Sequence, residues 1–232
     1  MFDPNADQMP INPLPTMVTV LALAVMLPEI AFQLASAGYI GGAEAVGWRF
    51  DAIRSFGFFD QIFEYMRQTY DFRPEFLYRF VTYPFIHFSL MHAGFATVML
   101  LALGKAVGEI FHPLSFLALF FISSAVAASG LAWTVEFQQP LIGAYPAVYG
   151  LLGAYTWVLW LTASATGESR LKAFRMIGVL MGLQLVYRIF LGGGIDWISD
   201  LIGFCTGFTL SFVLAPDGRR RVARWINLAR QR

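Results

Sequence analysis

The sequence predicts an all-α membrane protein that crosses the bilayer six times, and three observations predict it. Hydrophobic residues make up 57% of the 232 residues and charged residues only 13%, with a mean hydropathy of +0.60, a balance suited to hydrocarbon rather than water. Six apolar stretches, at 16–37, 88–110, 114–135, 142–162, 171–191 and 195–214, reach the roughly 18 residues or more needed to cross the hydrocarbon core. Basic residues crowd into a few connections instead of being spread along the chain. Backbone polar groups left unpaired in lipid are costly, so each stretch reads as a helix.

Taken in order, residues 1–15 form a short tail whose only charges are Asp3 and Asp7. With no basic residue and no small-residue cleavage site, the first span reads as retained, not as a removable signal. The connection 38–83 is long. Within it Phe50, Ile53, Phe58, Phe59, Ile62, Phe63 and Met66 recur at helical spacing among charges, which predicts a helix half-sunk in the membrane interface. Arg170, Lys172 and Arg175 flank the fourth connection, and six arginines between Arg219 and Arg232 crowd the tail 216–232. Basic connections stay on the cytoplasmic side, so both termini are expected there, in a bacterial inner membrane. The tail, with Val222, Trp225, Ile226 and Ala229 on one side, reads as an amphipathic helix held to anionic lipid. Residues 16–215 are then one membrane domain. The single cysteine, Cys205, excludes a disulfide framework or a cysteine metal cluster within the chain. A net charge of +1 gives no sign of nucleic-acid binding.

The chemistry-bearing residues lie at the span ends. Tyr78-Arg79 precedes the second span, which opens with His87 and His92 and has Ala96 one turn on. The fourth begins Gly143-Ala144-Tyr145-Pro146-Ala147-Val148-Tyr149, and the sixth carries Asp200, Gly203 and Gly207. In this order and spacing, over about 78–214, the set resembles the rhomboid family of intramembrane serine proteases. The resemblance implies a six-helix rhomboid-like bundle in which Arg79, His87, His92, Gly143, Tyr149, Gly203 and Gly207 keep the family's residues. It also implies that Ala96 replaces an oxyanion-binding asparagine, Tyr145 the nucleophilic serine, and Asp200 the histidine base. The expectation is a frame without its catalytic groups: a rhomboid-like pseudoprotease, not an enzyme. It would bind integral membrane proteins or their transmembrane helices, as an assembly or stability factor or as an accessory subunit of a complex.

Two other functional classes make demands of their own on these residues. An active protease would need a hydroxyl beside a base that titrates near neutrality. The phenol of Tyr145 is bulky, and an aspartate with an ordinary pKa near ~3.9 is a weak base. Serines in apolar spans usually bond to their own helix. A carrier would need a ligand set: His87 and His92, five residues apart on a helix, point roughly 140° from each other and do not share one ion. Neither a cofactor nor a metal is expected, and hydrogen bonding between loop and span is the expected role of both histidines. Ionisable groups within spans are costly, which singles out Glu29 and Arg188, expected to pair with each other or with a partner. Asp200 is expected to accept hydrogen bonds from Tyr145 or Tyr149.

Overall fold

The structure, a computed structural model, describes residues 13–191 and 194–216, apart from the side chains of 185, 187–189 and 191. The basic tail and most of the N-terminal segment lie outside the described residues, as does the side chain of Arg188. The chain is an all-helical polytopic bundle. Among the described residues five helices are long and apolar enough to cross a membrane: α1 (Thr16–Ser36), α6 (Leu90–Gly108), α7 (Pro113–Thr134), α8 (Tyr145–Thr166) and α10 (Trp197–Leu214). A sixth, α9 (Arg175–Leu191), has 17 residues, about 25 Å of helix and near the lower limit for a span. The sequence starts that span at 171; the charged residues there instead form a 3₁₀ turn, Arg170–Phe174.

The ends follow local chemistry. Ser89 Oγ accepts from His92 N–H and caps α6, and His112 Nδ1 accepts from Leu114 N–H ahead of Pro113 at the start of α7. Gly143, with φ +99°, holds back the start of α8, which opens with Pro146 in its first turn. Gly167, at φ +75°, closes that helix in the left-handed conformation. Pro28 lies inside α1 and removes the N–H that would bond the carbonyl of Ala24.

Helix α8 runs through the middle of the bundle, with Ala147, Val148, Tyr149, Leu151 and Leu152 buried. Helix α10 crosses it at backbone contact. A Cβ on Gly203 would collide with the carbonyl of Pro146, one on Gly207 with that of Gly150, and one on Gly153 with that of Phe204. Small residues that let backbones meet are what drives helix association where lipid competes for apolar surface. On the far side α1 lies over α6, Val18 seating against Gly104.

The long connection folds into short helices: α2 (Trp48–Phe56), α3 (Asp60–Thr69), α4 (Pro74–Leu77) and α5 (Arg79–Thr82). The stretch expected as one interfacial helix is thus broken in two. Between α2 and α3, Phe58 leaves the helix to exchange backbone hydrogen bonds with Leu141, at 3.1 and 2.8 Å. Phe58 is buried against Phe80 and Tyr83, and that burial, invisible to periodicity, wins over helix continuity. The last four carbonyls of a helix need outside donors; α2 receives them from across the loop. Arg79 Nη1 donates to the carbonyls of Arg54 and Gly57, Tyr78 Oη to Ser55, and Thr82 Oγ1 to Phe56.

Candidate functional site

The first turns of α6, α8 and α10 and the middle of α9 meet around a cleft of about 770 Å³. Into it face Phe88, His92, Tyr145, Gln184, Asp196 and Asp200. The two positions expected for nucleophile and base, Tyr145 and Asp200, therefore line one cavity.

His87 sits just before α6 and is 1% exposed. Its Nε2 accepts from Ala144 N–H at 3.2 Å, so the ring ties the α6 approach to the start of α8. Burial, helped by the neighbouring His92 and Arg49, pushes its pKa from 6.5 down to about 3, against a smaller opposing effect of the Phe85 backbone. The ring is neutral at physiological pH. His92 lies between two aromatic planes, 5.1 Å from Tyr145 at 15° and 6.0 Å from Phe88 at 16°, and its Nδ1 accepts from Phe88 N–H. A Cβ on Gly143 would press on the His92 ring, so glycine is needed there for space as well as for its positive φ.

Around Asp200 the outcome differs from the expectation. Its Oδ2 accepts from Gln184 Nε2 of α9 at 2.7 Å, and among the described residues neither Tyr145 nor Tyr149 donates to it. Tyr149 is buried in the core one turn deeper than Tyr145, while the ring of Tyr145 is taken up by His92. Asp196 ends the loop before α10, and burial raises its pKa. Ser199 Oγ donates to the Asp196 carbonyl at 2.6 Å. Ala96 is fully buried and brings no polar atom to the cleft.

Glu29 also pairs otherwise than expected. It is 1% exposed, and both its carboxylate oxygens are bound by Arg49 of α2, at 2.7 and 2.8 Å. Gln33 donates to it at 2.9 Å. The same guanidinium donates to the His87 carbonyl at 2.7 Å and lies over the Phe32 ring. The membrane carboxylate is thus neutralised from the long 38–83 connection, and α1, α2, His87 and α8 form one hydrogen-bonded chain. Arg49 was hidden in the sequence among the loop's balanced charges. Gln184 was hidden because it is polar but uncharged, and only ionisable groups stand out in an apolar span.

The fold and cleft define a multi-pass membrane protein whose polar site is built from helix ends at one end of the bundle. The model of the Rhomboid domain family matches residues 74–217, and the chain belongs to the rhomboid family. It is 24% identical over 144 residues to the protein named "Putative rhomboid protease YdcA" of Bacillus subtilis (strain 168), covering 62% of this chain and 70% of that one.

Proposed function

We propose that this chain is a catalytically inactive rhomboid-like protein that binds the transmembrane helices of other membrane proteins, as an assembly or stability factor or as an accessory subunit. The observation that carries the reading is at the start of α8. Where the family resemblance places the nucleophile, the phenol of Tyr145 stacks on His92, and the preceding N–H, on Ala144, is already bonded to His87. Acyl transfer needs an activated nucleophile and free donors for the developing oxyanion. Of the cleft's other hydroxyls, Ser199 donates to a carbonyl and Ser89 caps α6. What the cleft offers instead is an opening beside the exposed apolar residues Phe88, Met91 and Phe95. We further place both termini on the cytoplasmic side of a bacterial inner membrane, with the basic tail against anionic lipid.

The test is gentle detergent extraction from native membranes with quantitative mass spectrometry of co-purifying proteins, run beside labelling with a serine-directed fluorophosphonate. The expected result is integral membrane partners at reproducible stoichiometry and no labelling. Labelling that disappears on substitution of a single serine would instead establish the relative's named activity in this chain.

A further inference from the structure

The cleft holds two hydrogen-bond acceptors that lack a donor. Asp200 Oδ2 is satisfied by Gln184, but Asp200 Oδ1 and Gln184 Oε1 have no hydrogen-bond partner among the described residues, and both atoms are shut off from the surface. Asp200 is 3% exposed. Buried acceptors of this kind are uncommon, and two neighbouring ones leave a place for a donor that the described residues do not supply. Asp196, one helical turn earlier, adds a second carboxylate, and the described lining includes neither lysine nor arginine.

The complement of that arrangement is a cation with several N–H donors and no acceptor, the description of an ammonium or a guanidinium. Its route of arrival is set by the surroundings. The cleft lies at the ends of helices, and its rim on α6 is formed by Phe88, Met91 and Phe95, all exposed and apolar. A soluble cation gains nothing from that rim. A transmembrane helix with a basic residue near its end would lay its apolar turns there and place its charge, costly in lipid, against carboxylates.

We propose that the cleft selects a lysine or arginine near the end of a partner's transmembrane helix, with Asp200 and Gln184 as the acceptors. This rests on the reading of the chain as a binder of transmembrane helices and names the chemistry it selects. Its rival is internal: a protonated Asp200 donating to Gln184 Oε1 satisfies both orphaned atoms with no ligand.

The full-length protein in phosphatidylcholine nanodiscs is titrated with two fluorescent synthetic helices of leucine and alanine. They differ only in bearing Lys or Gln one turn inside the end that meets the cleft. The Lys helix is expected to bind the wild type at least tenfold more tightly than the Gln helix, and that preference to vanish in Asp200→Asn. Asparagine can still pair with Gln184, so the variant keeps the neutral arrangement. Equal and measurable binding of both helices to the wild type overturns the cation proposal while leaving helix binding intact; binding of neither overturns helix binding itself. A preference that survives Asp200→Asn overturns the assignment to Asp200. One that emerges only in Arg188→Gln assigns the site to the chain's own arginine and overturns it as well. The Lys and Gln comparison on the wild type needs no variant to fold.

Discussion

His87 shows at the residue scale how a single neutral ring can fix two segments and leave a pH signature. With its pKa moved from 6.5 to about 3 by burial, the folded protein binds fewer protons than the unfolded chain between those values. Its contribution is therefore fully present above about pH 6.5 and is lost as pH falls, by about 1.4 kcal/mol per unit. Its share of the melting temperature in detergent, read as the difference between the wild type and His87→Gln, is expected to be flat above pH 7 and to fall below about pH 6. In His87→Gln, whose amide oxygen can still accept from Ala144 N–H, this slope should be largely removed. A variant that loses as much between pH 7 and 5 as the wild type would show that the slope comes from another group. The placement of His87 among the hydrogen-bonding positions was legible through the family resemblance, though its partner, Ala144 at the start of α8, was not. Nor was the linkage of His87 to Glu29, because Arg49 is 20 positions from Glu29 in sequence and only the folded loop delivers it.

At the scale of elements, the glycine spacing of α10 was readable and the loop was not. Gly203 and Gly207 stand four apart, the spacing that exposes backbone along one helix face, and they meet Pro146 and Gly150 of α8. Gly178 and Gly182 show the same spacing in α9, yet a Cβ on either meets nothing within 4 Å. Spacing alone does not separate a packed pair from an unpacked one. Gly207→Ala should force the two helices apart and destabilise the protein by about 1–3 kcal/mol or more. Gly182→Ala should be neutral or slightly stabilising, since alanine is the better helix former by up to about 1 kcal/mol. Thermal midpoints of the two variants check this, and equal effects would refute the contact as described. The break between α2 and α3 escaped the sequence reading for another reason: the residues that draw Phe58 out of the helix, among them Leu141 and Tyr83, lie far along the chain.

For the whole molecule, fold class and span order could be read from composition and length, because lipid leaves a helix few alternatives. The chemistry of the cleft could be read only as a set of positions; the partner of Asp200, Gln184, and that of Glu29, Arg49, depend on how helices and loop close together. That distinction bears on whether the catalytic frame can be refilled. Tyr145→Ser with Asp200→His would return a hydroxyl and an imidazole to the positions the resemblance assigns them, but not the full set of donors that hold an oxyanion. Ala96 has no donor, Pro146 has no N–H, and the N–H of Ala144 is bonded to His87. Loss of a single oxyanion donor costs roughly 10²- to 10³-fold in rate. The double variant, reconstituted in proteoliposomes with a fluorogenic transmembrane substrate, is therefore expected to show no robust cleavage. Adding Ala96→Asn returns one donor and should raise any residual rate. Efficient cleavage by the double variant alone would mean that the cleft still stabilises an oxyanion, and that the chain is separated from proteolysis by two side chains rather than by the architecture around them.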